Sequence, residues 1–376
     1  VSTVRGLHVA QHLRGFATNV AGYQALGEMC PEYDWCLPMS GHSRDSCCYD
    51  PCGLTEEWNP SQNEHNYALH LRKAMAEGIP GFEPHMIVDT GRNGVADERA
   101  KCADWCNIRG AGVGLFPTTE TANPEIIDAY FWLKTPGESD GCTEVLPSGE
   151  RCPRFDADCA SVDSIGFQPG EPRAPEAGQW FDYQVKQLAA NSHLMLSALP
   201  PVDPADEPGR EPEPVPVAPS DPPTTPTSPP TAPTDAPPTM GDLDAANPFS
   251  GQDFYVNPSY SESLNMSIGT AEGAVRLTLE SMRGVPSAYW LDTKDKIEGA
   301  GIKTMEGILA DAAAKSEPQL VTFIVYDLPN RDCHAKASNG EICCSYLPDG
   351  RCDYGAGGTC EAGLAEYKTE YIDKIV

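Results

Sequence analysis

Residues 322–333 read Thr-Phe-Ile-Val-Tyr-Asp-Leu-Pro-Asn-Arg-Asp-Cys. An apolar run from Val321 to Val325 leads into Tyr326, Asp327, Arg331 and Asp332. Four other runs repeat the pattern. Leu13–Val20 carries Asn19 near its end. His85–Asp89 leads into Arg92, and Ala129–Leu133 leads into Lys134, Glu138 and Asp140. Ala288–Asp292 holds Trp290 and Asp292. Carboxylates beside aromatic rings suit the cleavage of an acetal bond between sugars. One carboxyl protonates the leaving oxygen, another directs water, and ring faces stack on pyranose rings. No Ser-His-Asp arrangement and no metal cluster is evident, so neither a metal nor a cofactor is expected. Each residue also has a plainer reading. Asp292 could cap the next helix, Trp132 could be core, Asp327 a turn residue, and Lys134 to Asp140 a solvated loop.

Clustered polar groups after apolar strands need a scaffold that points all strand ends the same way. Between the runs lie helical patterns. Ser61-x-x-Glu64 reads as a capping box before Tyr67, Leu69, Leu71 and Met75, with Gly78 as the stop. Thr270 can cap a helix through Met282, and Ile302, Met305, Ile308 and Leu309 mark another, with a last helix from about Cys360. Alternating strands and helices predict an α/β fold with parallel strands. Gly110-x-Gly112-x-Gly114 lacks nucleotide-binding spacing and reads as a loop. A barrel with its chemistry at one rim fits better than an open sheet.

The formal net charge is −29, from 26 basic and 55 acidic residues. Such a surface repels phosphate backbones and anionic lipid, so neither nucleic acid nor a membrane is expected as a partner. A neutral sugar polymer meets no such barrier. Fifteen cysteines cluster among Gly, Pro, Asp and Ser, as in disulfide-stapled loops of secreted proteins. Zinc is the alternative at Cys102-x3-Cys106, but no matching second pair follows. Asn265-Met-Ser267 is a sequon that fits export. Ten cysteines precede residue 200 and five follow residue 240, so one of the five lacks a partner in its own segment. Residues 200–239 hold 16 of the 36 prolines. That composition favours an extended, disordered linker reaching on the order of 100 Å at ~3.1 Å per residue.

Several motifs together resemble the family 6 glycoside hydrolases, a cellulase family of cellobiohydrolases and endoglucanases. Val325-Tyr326-Asp-Leu-Pro329-Asn-Arg331-Asp332-Cys333 is similar to the family signature, with Asn247-Pro248-Phe249, Trp290-Leu-Asp292-Thr293 and Ala337-Ser338-Asn339-Gly340-Glu341 as further landmarks. Arg14-Gly-Phe-Ala-Thr-Asn19-Val, Asp89-Thr-Gly-Arg92, Asp104-Trp105-Cys106-Asn107, Trp132-Leu-Lys134-Thr-Pro-Gly-Glu138-Ser-Asp140-Gly and Trp180-Phe181 resemble later family segments. The resemblance implies an inverting cleavage of β-1,4-glucan such as cellulose and a distorted, incomplete TIM-like barrel of the seven-stranded type. It implies that Asp332 raises the pKa of the proton donor, that Tyr326 crowds the sugar ring, and that Asp140 is the proposed base. It places Trp290, Asp292, Asn19, Trp105, Lys134 and Glu138 at sugar-binding positions. It pairs Cys106 with Cys159, and Cys333 with a cysteine in a stretch absent from this chain. Ser139 stands where the family often has Cys.

The order differs from the family's. Residues 1–199 resemble the C-terminal half of such a domain, 200–240 form the linker, and 241–376 resemble the N-terminal half. The middle, with its Glu-Pro-Asp proton donor, is not in the chain. The chain begins at Val1 without Met and ends at Val376 inside an apolar helical pattern. We expect a fragment of a secreted tandem enzyme with neighbouring catalytic domains, inactive alone; a circular permutant is the alternative. The two half-domains are expected to dock. The Cys-rich segments 30–52, 141–159 and 343–360 follow strand ends and are expected to wall the cleft. A non-catalytic carbohydrate-binding wall protein is the rival function, and a Pro-rich structural glycoprotein a further one.

Overall fold

A computed structural model describes residues 10–50, 61–96, 98–192 and 247–376. The expected linker, 200–240, lies outside the described residues. The first segment holds β1 (Gly15–Thr18), α1 (Glu64–Gly78), β2 (His85–Asp89), β3 (Ile127–Phe131) and α2 (Asp182–Ala190). The second holds α3 (Pro258–Ile268), α4 (Gly273–Met282), β4 (Tyr289–Leu291), α5 (Met305–Ala313) and β5 (Phe323–Val325). It closes with α6 (Glu361–Glu366), which runs on through a π-helical stretch, Tyr367–Ile372. Among the described residues no helix is long and apolar enough to cross a membrane.

All five expected strands form, and the pairs are parallel: β1 with β2, β2 with β3, and β4 with β5. β1 and β2 approach so closely that a Cβ on Gly15 would lie 1.5 Å from the His85 carbonyl oxygen, which only glycine permits. The sheets meet where Ala288 N–H donates to the Trp132 carbonyl at 2.9 Å. The Trp290 indole N–H reinforces the seam, donating to the Leu133 carbonyl at 2.8 Å.

The two segments share one core. Tyr23, Trp132, Val185 and Leu188 from the first pack with Tyr260, Leu264, Leu279 and Met282 from the second. Trp132 is fully buried in this cluster, so it is core and not a sugar platform. Each large apolar side chain so buried stabilises by about 1.5–3 kcal/mol, which makes the two segments one packed body.

Helix starts differ from expectation in two places. Asn63, not Ser61, caps α1, its side chain accepting from Asn66 N–H at 2.9 Å. Glu64 N–H and His65 N–H instead donate to the carbonyls of Ala25 and Leu26, so the loop after β1 supplies the remaining acceptors. One helix expected from Thr270 is the shorter α4, preceded by a separate α3 that the sequence reading missed. Asn257 caps α3 and Pro258 stands in its first turn, a pairing suited to a helix start. The sequon lies near the end of this helix, with Ser267 buried and accepting from the Trp180 indole N–H.

Six disulfides are described: Cys30–Cys47, Cys36–Cys48, Cys106–Cys159, Cys142–Cys152, Cys343–Cys352 and Cys344–Cys360. Cys102 is also disulfide-bonded, which removes the alternative of a metal-binding pair with Cys106. Cys333 is free and exposed, the odd member of its segment.

Candidate active site

Asp89, at the end of β2, is the buried centre of the first segment's rim. Its Oδ2 accepts from Ala21 N–H at 2.9 Å and Lys134 N–H at 2.8 Å, and its Oδ1 accepts from Gly91 N–H at 3.0 Å. One carboxylate therefore ties the segments following β1, β2 and β3 together. Burial pushes its pKa up to about 6, against the pull of these backbone N–H donors. Asn19 joins the same knot in left-handed backbone, with φ 53°. Its amide donates to the carbonyls of Asp89 at 2.8 Å and Gln24 at 3.2 Å. Both amide hydrogens are thus engaged within the protein.

Asp140 is 8% exposed. Arg92 Nη1 donates to both its oxygens at 2.7 Å, and Tyr23 O–H and Asn107 N–H donate to Oδ2 at 2.7 and 2.8 Å. Burial alone would raise its pKa. The Arg92 and Lys134 charges, with the hydrogen bonds from Arg92 and Tyr23, outweigh burial and hold Asp140 below the usual carboxylate value. Asp140 is an anion by construction. Lys134 is 9% exposed and reaches Glu138 Oε2 and the Ser139 carbonyl, each at 3.5 Å. Burial raises the pKa of Glu138, with Lys134 and Lys296 opposing. This group is an ordered, largely buried network, which removes the solvated-loop reading.

From the second segment come Trp290, Asp292, Tyr326 and Asp332. The rings of Trp290 and Tyr326 meet edge to face, 4.9 Å apart at 89°. Tyr326 O–H donates to Asp332 Oδ2 at 2.5 Å, and Ser338 O–H donates to the same oxygen at 2.8 Å. Asp332 has φ 51°, a left-handed backbone that aspartate tolerates. Burial, then the Asp332 hydrogen bond and charge, raise the Tyr326 pKa and keep the phenol protonated. Arg331 fixes the whole loop. Its guanidinium donates to the carbonyls of Asp292 at 2.7 Å and Ser338 at 3.0 Å, and to that of Tyr326. Asp327 is fully buried near Arg331, and burial lifts its pKa to about 7. It is more than the surface turn residue that the sequence left open. Asp292 pairs with Lys296 at 2.5 Å.

The two groups face one cavity of about 170 Å³, lined by Trp105, Lys134, Asp140, Trp290, Asp292 and Tyr326 among others. Asp332 supports its wall through Tyr326 and Ser338. Glu138 lines an adjoining space of about 520 Å³. Asn19 does not line the cavity described around Trp105 and Asp140; it braces the rim. Sequence reasoning gave no role to Tyr23, Asn107, Ser338 and Arg154. The signal for Asn107 and Ser338 was their place inside the quoted motifs 104–107 and 337–341, whose Cys106 and Ala337 pack together with Cys159. Nothing local marked Tyr23, which reaches Asp140 over 117 residues.

The family model for glycosyl hydrolases family 6 matches residues 2–192 and 249–376. Exoglucanase 3 of Agaricus bisporus is 37% identical over 189 residues, 50% of this chain and 34% of that protein. A 1,4-beta-D-glucan cellobiohydrolase C of Emericella nidulans is 35% identical over 182 residues, 48% of this chain and 32% of that protein. The chain thus spans about a third of the length of these relatives. The catalytic core domain of a cellobiohydrolase from Chaetomium thermophilum shares 33% identity with a TM-score of 0.37, over 50% of this chain and 43% of that one. With the family model covering both described segments, the chain belongs to glycosyl hydrolase family 6.

Proposed function

We propose that this chain supplies the substrate-binding rim and part of the catalytic machinery of a secreted enzyme that cleaves β-1,4-glucan with inversion. The observation that carries the reading is the single cavity joining Asp140 and Lys134 from one segment to Trp290, Asp292 and Tyr326 from the other. Its aromatic edge suits a pyranose face, and its charged groups suit sugar hydroxyls. Cellobiohydrolase-type relatives and the disulfide-rich loops support the substrate class and the oxidising compartment.

We assign the roles that the family resemblance implies, and the geometry supports them. Tyr326 presses on the ring at the cleavage point. Asp332 holds the phenol in place and offers negative charge to a neighbouring carboxyl, which would keep that carboxyl protonated as the donor. Asp140, locked as an anion by Arg92, orients the attacking water and stabilises positive charge developing on the sugar. Its depressed basicity makes it a poor final proton acceptor, so we assign removal of the proton of the attacking water to a relay through water that delivers it to bulk solvent. No Glu-Pro-Asp sequence occurs in the chain. We therefore read 1–199 and 241–376 as the two ends of family 6 domains joined by a linker, with the five strands forming part of an incomplete barrel and the donor strand supplied by neighbouring polypeptide.

Titration calorimetry with cellotetraose tests this. The 376-residue chain binds it without hydrolysis, and Trp290→Ala weakens binding about tenfold through loss of ring stacking. Absence of binding, or turnover by the chain alone, overturns the reading. In a longer protein carrying the donor strand, turnover unchanged by Asp332→Ala would exclude a catalytic role for Asp332, and binding with no turnover at all would favour the rival, a non-catalytic glycan-binding protein.

A further inference from the structure

Two rim loops share one design. Cys142-Thr-Glu-Val-Leu-Pro-Ser-Gly-Glu-Arg-Cys152 and Cys343-Cys-Ser-Tyr-Leu-Pro-Asp-Gly-Arg-Cys352 are each closed by a disulfide between the first and last residue. In the first, Leu146 N–H donates to the Glu150 carbonyl at 2.8 Å; in the second, Leu347 N–H donates to the Arg351 carbonyl at 2.7 Å. The turn glycines Gly149 and Gly350 have φ of 90° and 85°, a conformation that glycine adopts without strain. Each segment thus contributes one copy of a stapled hairpin.

Between the residues leaving the first hairpin and the flank of the second lies a cavity of about 510 Å³. It shares Arg154 and Arg331 with the cleft, so it opens beside the proposed glucan path. Its lining residues are richer in cations than the molecule as a whole, although Glu176, Asp327 and Asp349 pair with the three arginines. Arg154, Arg331, Lys336 and Arg351 line it against a single carboxylate, Glu341, in a chain with 55 acidic and 26 basic residues. Several of these charges are already engaged. Arg331 is bound to backbone carbonyls, Arg154 donates to Glu176 at 3.2 Å, and Arg351 pairs with Asp349 at 2.7 Å. Lys336 is fixed through its backbone, its N–H donating to Asp156 Oδ2 at 2.6 Å, and it lines the cavity as an exposed residue. Phe155 and Tyr354 add ring surface to the same walls. Cations beside rings are complementary to a carboxylated sugar: the rings meet its apolar face and the cations its carboxylate.

We propose that this cavity is an accessory site for a uronate residue of an acidic polysaccharide, held chiefly by Lys336 and by the Nη1 of Arg351 that Asp349 leaves over, while neutral glucan occupies the cleft. The proposal extends the glycan-binding reading of the cleft and separates from it experimentally. The 376-residue chain is titrated with trigalacturonate and, independently, with cellotetraose. Trigalacturonate binds, and the Lys336→Gln/Arg351→Gln double variant weakens it about tenfold or more, whereas Lys336→Arg/Arg351→Lys restores most of the affinity. Cellotetraose binding stays the same in both variants. Added sodium chloride weakens the trigalacturonate complex by screening. Three results overturn the site: no binding of trigalacturonate, equal binding by the Gln variant, or binding that tightens with salt as repulsion from the acidic surface is screened. Displacement by equimolar sulfate overturns the sugar and leaves only a general anion pocket. Loss of cellotetraose binding alone overturns the cleft reading and leaves this site standing.

Discussion

Arg92 illustrates how much of the rim rests on single side chains. It is 1% exposed, donates to both oxygens of Asp140, lies 4.3 Å from the Tyr23 ring centroid and also reaches the Ala21 carbonyl. Removing it leaves Asp140 as a buried anion without its principal counter-charge. We expect Arg92→Ala to destabilise the fold by about 3–5 kcal/mol, and Asp140→Asn combined with it to recover part of that loss. Urea unfolding of the single and double variants measures both. A double variant no more stable than Arg92→Ala would show that the guanidinium matters for packing alone. Much at this scale was legible in the sequence. Trp290, Asp292, Lys134, Asp140 and Tyr326 line one cavity, because each lies in or beyond the C-terminal end of a recognisable apolar strand. What stayed hidden was partner identity. Asn19 is a residue of the expected type at the expected place, yet its amide is turned to the backbone of Asp89 and Gln24.

Among the elements, buried strands were the most readable and helix starts the least. His85–Asp89 forms β2 to the residue, because a short apolar run bounded by Pro84 and Gly91 has few alternatives. α3 was missed because four serines interrupt its apolar positions, so its periodicity is faint. Its buried residues pack on α4 and on α2 of the other segment, contacts that no local window contains. At α1 the capping box competed with a neighbouring cap. Asn63 won because the preceding loop already supplies carbonyl acceptors to the first turn. Asn63→Ala should therefore cost about 1 kcal/mol, whereas Ser61→Ala should have no capping effect on α1. Paired thermal melts of the two variants check this; a reversed order would restore the capping-box assignment.

For the molecule as a whole, three buried carboxyls govern the response to pH. Burial raises Glu64 and Asp327 to about 7 and Asp89 to about 6. A group whose folded pKa lies above its unfolded value binds more protons in the folded state, so it favours folding at low pH. That contribution is complete below the unfolded carboxyl values near pH 4 and is lost as pH rises toward 7. Asp140 works in the opposite sense, contributing above its unfolded pKa and losing that contribution as pH falls through its depressed folded value. The melting temperature should therefore decline from about pH 5 to pH 7, with a free-energy change on the order of a few kcal/mol. Glu64→Gln should flatten that slope. A melting temperature that climbs across this interval would contradict these assignments.

One contact at the seam couples these scales. The indole that faces the cavity also clasps the Leu133 carbonyl, one residue beyond the Trp132 carbonyl that receives the Ala288 amide. A saccharide stacked on Trp290 would therefore also act as a fastener between the two sheets. Deuterium uptake at the Ala288 amide should slow when cellotetraose is present, while uptake at the far edge, along β1, should stay the same.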